Sequence, residues 1–95
     1  MEPYVLRLFV AGHTPTSEGA RQNLERICAE HLPGRCQITV TDIVSDPEHA
    51  ETHKVLATPT LIKESPSPVR RIIGDLSETQ KVLAALSLAP QPAST

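Results

Sequence analysis

The chain has 95 residues, nine of them basic and eleven acidic, for a formal net charge of −2. That length holds one domain, and that balance leaves no electrostatic footprint for nucleic acid. With one Phe, one Tyr and no Trp, the core has to be assembled from Leu, Ile, Val and Ala, in a chain short enough to bury only roughly 60–65% of its unfolded surface.

Tyr4 to Val10 is β-rich and apolar on both faces through Val5, Leu6, Leu8, Phe9 and Val10, the pattern of a central strand of an α/β sheet. Arg7 interrupts the run, which falls far short of a membrane span. Met1-Glu2-Pro3 lacks the basic start and small-residue cleavage site of a signal peptide, so the expected compartment is the cytosol.

Thr14-Pro15 offers a helix cap followed by proline at the first helical position. The helix predicted from there runs to about Leu32, with Ala20, Leu24, Ile27, Cys28 and Leu32 on one face. Pro33-Gly34 stops it. Cys36 to Val44 reads as a second strand, with Ile38 and Val40 facing one way and Thr39 and Thr41 the other. Strand, helix and strand make one βαβ unit, which requires a parallel pair and a right-handed crossover.

Ser45-Asp46-Pro47-Glu48 is a second helix start, with Asp46 as cap and acids at the positive end of the helix dipole. The helix through about His53 is short and has almost no apolar face. Thr60–Lys63 and Val69–Ile73 are two strand candidates joined by a proline-stiffened, hairpin-length loop. Ser77 is expected to cap a last helix, with Gln80 at the capping-box position and Val82, Leu83 and Leu86 inward. Residues 89–95 read as a frayed tail, leaving one domain over 1–88. The local order is β-α-β-α-β-β-α, the thioredoxin order. In the second half, residues 81–86 also fit a strand and residues 69–73 also fit a helix.

Cys28 and Cys36 have seven residues between them, a spacing of neither a CxxC motif nor a paired zinc knuckle. Both are expected to be reduced and packed. His49 and His53 would share a helix face, but the H-E-x-x-H order is not met and no third metal ligand is evident. No cofactor is expected. The loop after the first strand, Gly12-His13-Thr14-Pro15-Thr16-Ser17, occupies the place where a thioredoxin holds its reactive cysteines, and it contains hydroxyls and no sulfur. Without a thiolate there is no nucleophile for thiol exchange.

The sequence resembles the KaiB family, the small partner of the KaiC ATPase in bacterial timekeeping. The matching residues are Tyr4-Val5-Leu6 through Val10-Ala11-Gly12, Thr14-Pro15, Asp42, Pro47, and then Lys54-Val55-Leu56-Ala57-Thr58-Pro59-Thr60-Leu61. The longest block runs from Pro68-Val69-Arg70-Arg71-Ile72-Ile73 through Gly74-Asp75-Leu76-Ser77 and on to Lys81-Val82-Leu83.

The resemblance implies an α/β, thioredoxin-like fold in the partner-bound state and an alternative ground-state fold of order β-α-β-β-α-α-β, the two differing in the second half. It implies a non-enzymatic regulator that binds a KaiC-like ATPase ring, with a KaiA-like protein or a histidine kinase competing for the same ring. It also implies a tetramer or dimer of this chain in the ground state. Family members with clock function often carry an arginine where this chain has Gly19 and a lysine where it has Thr39. The contrasting reading, a thioredoxin-like thiol redox or glutathione-binding protein, has the missing thiolate against it.

Under the resemblance, Lys54, Arg70 and Arg71 are the expected partner contacts, while Pro59, Gly74 and Asp75 are the expected positions of fold choice. Pro59 is expected cis in the thioredoxin-like form, at the start of an inner strand. Arg70 and Arg71, adjacent on a strand, point to opposite faces; they read equally as a solvated edge, with one of them paired to an acid such as Asp75, or as an interface anchor. Gly74-Asp75 forms the turn leading to Ser77.

Overall fold

The computed structural model describes residues 3–55, 57–66 and 68–86; the predicted tail at 89–95 lies outside them. Seven elements follow one another: β1 (Tyr4–Val10), α1 (Pro15–His31), β2 (Cys36–Asp42), α2 (Pro47–Thr52), β3 (Thr60–Ser65), β4 (Arg70–Ile73) and α3 (Thr79–Ala85). This is the predicted thioredoxin order. The sheet runs β2-β1-β3-β4. β1 and β2 are parallel from Tyr4↔Cys36 to Val10↔Asp42, as the βαβ unit requires, and β3 pairs antiparallel with both β1 and β4.

β1 is central and therefore buried on both faces. Leu6, Leu8 and Val10 join Ala20, Leu24, Ile27 and Cys28 of α1, Leu61 of β3, and Val82, Leu83 and Leu86 around α3 in one aliphatic core. Aliphatic side chains at these positions supply nearly all of the apolar burial, at roughly 25 cal/mol per Å². On the other face of β1, Phe9 is wholly buried and its ring lies 5.3 Å from the His53 imidazole just after α2.

Local chemistry sets the element ends. The Thr14 hydroxyl accepts from the Ser17 amide at 3.1 Å, with Pro15 next, so α1 begins where expected. At its exit Gly34 takes φ +71°, a conformation open to glycine at little cost. β2 stops at Asp42 rather than Val44, because the Asp42 carboxylate accepts from both the Gly12 and Val44 amides, at 3.0 and 2.9 Å, and turns the chain.

The expected Ser77 cap is not made. α3 starts at Thr79 with Glu78 at the cap position and no side-chain bond there. Leu76 explains the delay: it enters the core, 3% exposed, with φ +64°, and the helix begins only after the chain has recovered from that turn.

Candidate functional site

The carboxyl end of α2, the approach to β3, the outer strand β4 and the turn after it hold the six residues expected to contact a partner or set the fold. α2 ends in a Schellman arrangement: the Lys54 amide donates to the Glu51 carbonyl at 3.1 Å and the Val55 amide to the Ala50 carbonyl at 2.9 Å. That geometry puts a left-handed residue just past the helix, normally glycine. Here it is Lys54, at φ +55° and exposed. Arg71 then closes the end of α2, donating from Nη1 to the Lys54 carbonyl at 3.1 Å and from Nη2 to the His53 carbonyl. Two of the three predicted partner contacts therefore meet, through backbone carbonyls.

Arg70 is elsewhere. It points to the opposite face, directly across from Lys63 on β3. Neither arginine pairs with Asp75 among the described residues, so the solvated-edge reading does not hold in that detail: Asp75 is engaged in its own turn, and Arg71 finds carbonyls nearer to hand. Lys63 is 1% exposed, and its Nζ has no hydrogen-bond partner among the described residues; it stands 5.9 Å from the centre of the Tyr4 ring. Burial, and then the Arg70 charge, push its pKa below the usual lysine value. Sequence reading missed Lys63, although its place two residues after Leu61 on a core-facing strand was a usable signal.

The three fold-choice positions also come together. The Thr58–Pro59 bond is cis, and the Pro59 carbonyl accepts from the Gly74 amide at 2.9 Å, tying the start of β3 to the end of β4. Gly74 takes φ +129°. The Asp75 carboxylate accepts from the Ser77 amide at 3.0 Å, and the Asp75 carbonyl from Asn23 Nδ2 at 2.9 Å. The Ser77 hydrogen bonds hold the Asp75 pKa below the usual carboxylate value. Asn23, on α1, was not singled out in the sequence; nothing local marks a contact spanning 52 positions.

Next to it, Glu64 Oε2 accepts from Arg7 Nε at 3.1 Å and lies 3.3 Å from His53 Nε2. The His49 and His53 rings are stacked, with centroids 6.2 Å apart, and His49 Nδ1 lies 2.6 Å from Asp46 Oδ2. Among the described residues no group of three or more His, Cys, Asp or Glu is placed to hold a metal ion. A cleft of about 350 Å³ opens at the amino end of α1, lined by Gly12, His13, Ser17, Glu18, Arg21 and Asp42 among others. It carries charges and hydroxyls but no thiol.

The KaiB domain family matches residues 7–88. This chain belongs to the KaiB family. It is 51% identical over 85 residues to the circadian clock oscillator protein KaiB of Microcystis aeruginosa, covering 90% of this chain and 82% of that one. It is 43% identical over 91 residues to the circadian clock protein KaiB3 of Synechocystis sp., covering 96% and 89%. Among solved structures, the amino-terminal domain of Synechococcus elongatus SasA superimposes with a TM-score of 0.74 at 23% identity, covering 92% of this chain and 86% of that one. Mitochondrial thioredoxin 3 of Saccharomyces cerevisiae gives 0.72 at 17%, covering 93% and 81%. At those identities the likeness is one of fold, and it is the thioredoxin-like fold expected from the sequence. Among the described residues no helix of this KaiB-family chain is long and apolar enough to cross a membrane.

Proposed function

We propose that this KaiB-family protein is a non-enzymatic, cytoplasmic regulator that binds a KaiC-like ATPase ring and changes its hydrolysis or phosphorylation state in bacterial timekeeping or stress regulation. Binding is gated by a slow change of fold: a homo-oligomeric ground state, tetramer or dimer, of order β-α-β-β-α-α-β exchanges with a rarer, monomeric thioredoxin-like form. Lys54, Arg70 and Arg71 contact the ring; Pro59, Gly74 and Asp75 set the balance between folds. A KaiA-like protein or a histidine kinase competes for the same ring.

One observation supports the switch above the rest. Both non-glycine residues with positive φ among the described residues, Lys54 and Leu76, lie in the second half and flank the β3–β4 hairpin. A left-handed L-residue costs roughly 1–2 kcal/mol. The thioredoxin-like packing carries that strain at both ends of one segment, and β4 between them leaves three of its four residues exposed. Strain at both ends of the segment and a weakly buried outer strand within it lower the cost of leaving this packing, as two folds within a few kcal/mol of each other require.

The test mixes the full chain with the KaiC-like ATPase from the same genome under ATP and follows mass and far-ultraviolet circular dichroism over hours. Slow formation of a ring complex, with loss of free oligomer and a changed spectrum, is the expected result. A single unchanging architecture with no ring complex under any nucleotide would sink the proposal.

A further inference from the structure

Cys28 lies in the last turns of α1 and Cys36 is the first residue of β2. The chain reverses between them through Leu32–Arg35, and the two Sγ atoms stand 2.8 Å apart as free thiols. That is only about 0.8 Å beyond the roughly 2.0 Å of a disulfide bond. The frame around them is fixed on three sides. The Leu32 amide donates to the Cys28 carbonyl at 2.8 Å, the Arg35 amide to the Leu32 carbonyl at 3.0 Å, and the Tyr4 amide to the Arg35 carbonyl at 2.7 Å. Cys28 is 5% exposed and Cys36 is half-buried, so Cys36 is the more accessible of the two.

We propose that Cys28 and Cys36 are an oxidisable dithiol, which a low-molecular-weight disulfide such as oxidised glutathione converts to an intramolecular disulfide tying the exit of α1 to the start of β2. Cys36 releases its proton to solvent and its thiolate attacks one sulfur of the reagent. The reagent S–S bond breaks, one glutathione thiolate leaves, and Cys36 carries a mixed disulfide. Cys28 then gives its proton to solvent and attacks the Cys36 sulfur, expelling the second glutathione thiolate. Two protein thiols are oxidised and one reagent disulfide is reduced to two thiols. Burial raises the pKa of both cysteines, which makes the first attack slow at neutral pH. The pair sits at the opposite end of α1 from Thr14–Ser17, and Cys28 is closed to any protein substrate. It is a lock between α1 and β2 and not a catalytic centre, and it stands independently of the ring-binding proposal.

The experiment incubates the full chain with oxidised glutathione, alkylates the remaining thiols and maps the product by mass spectrometry. Expected are a loss of about 2 Da, no alkylation, and a peptide linking Cys28 to Cys36. The rate should rise about tenfold per pH unit between roughly pH 7 and 8.5, and the melting temperature should rise by several degrees and fall back on reduction. Cys28→Ser should stop at a stable glutathione adduct on Cys36. Two free thiols after prolonged incubation, a glutathione adduct that persists in the unmutated chain, or disulfide-linked dimers in place of the internal bond would each overturn the proposal. If Cys28→Ser fails to fold, the mass and peptide map of the unmutated protein decide it alone.

Discussion

The Arg71 guanidinium spans the gap between β4 and α2, donating to the Lys54 carbonyl at 3.1 Å and also to the His53 carbonyl. The exposed outer strand thus closes the carboxyl end of a helix that has no buried residue of its own. Replacing Arg71 with Met keeps the stem and removes both bonds. The expected loss is about 1 kcal/mol, since the bonds are charge-assisted but exposed. Urea denaturation checks this, and an unchanged midpoint would mean that water replaces the guanidinium at no cost.

Lys54 holds a backbone conformation suited to glycine. Lys54→Gly should stabilise the thioredoxin-like form by about 1 kcal/mol, whereas Lys54→Ala should give no gain. If the ammonium contacts the ring, both variants lose affinity although only the glycine variant gains stability. Denaturation and ring-binding titrations run side by side separate the two roles.

Gly74 has no heavy atom within 4 Å of where a Cβ would stand, so the penalty of Gly74→Ala comes from φ +129° alone, roughly 1–3 kcal/mol. Asp75→Arg removes the acceptor of the Ser77 amide. Both should lower the population of the thioredoxin-like form and slow association with the ring. Oligomer size and association rate unchanged in both variants would count against a role in fold choice.

Lys63 faces Arg70 across the β3–β4 ladder, a like-charge pair of the kind that disfavours a sheet, and its ammonium is buried. Because its pKa is depressed in the folded state, the unfolded chain binds the extra proton, and stability rises as pH climbs through the folded value toward the ordinary one. Lys63→Met should flatten that rise and add about 1 kcal/mol near neutrality. Denaturation midpoints from neutral to alkaline pH test both parts.

Asp42 behaves with the opposite sign. The Gly12 amide, and then the Val44 amide, hold its pKa below the usual carboxylate value. Its contribution is therefore fully present above the unfolded value and is lost as pH falls through the lowered folded one. Asp42→Asn should be less stable than the unmutated protein at neutral pH and should lose less on acidification. Parallel acid-denaturation curves would refute this.

The first half of the fold was legible because its signals are local. Thr14-Pro15, the aliphatic spacing through Leu32, and Pro33-Gly34 each fix a start, a face or a stop within a few residues. Ser77 misled for a physical reason: a cap motif was present, but burial of Leu76 two residues after Gly74 held the chain in a turn and moved the helix start to Thr79. Asp75, the acid that one of the two arginine readings would pair, bonds the nearest free amide instead.

Residue order alone therefore settled the β-α-β first half, the family and the absence of sulfur from the loop before α1, since these depend on neighbours in the chain and on matching motifs. Tertiary structure decided that Arg71 closes α2, that Lys63 is buried against Tyr4, that Asn23 holds the Asp75 carbonyl, and that two cysteines of unremarkable spacing touch. Those contacts exist because sheet register and chain reversal bring distant atoms together, and no local pattern of side chains encodes the result.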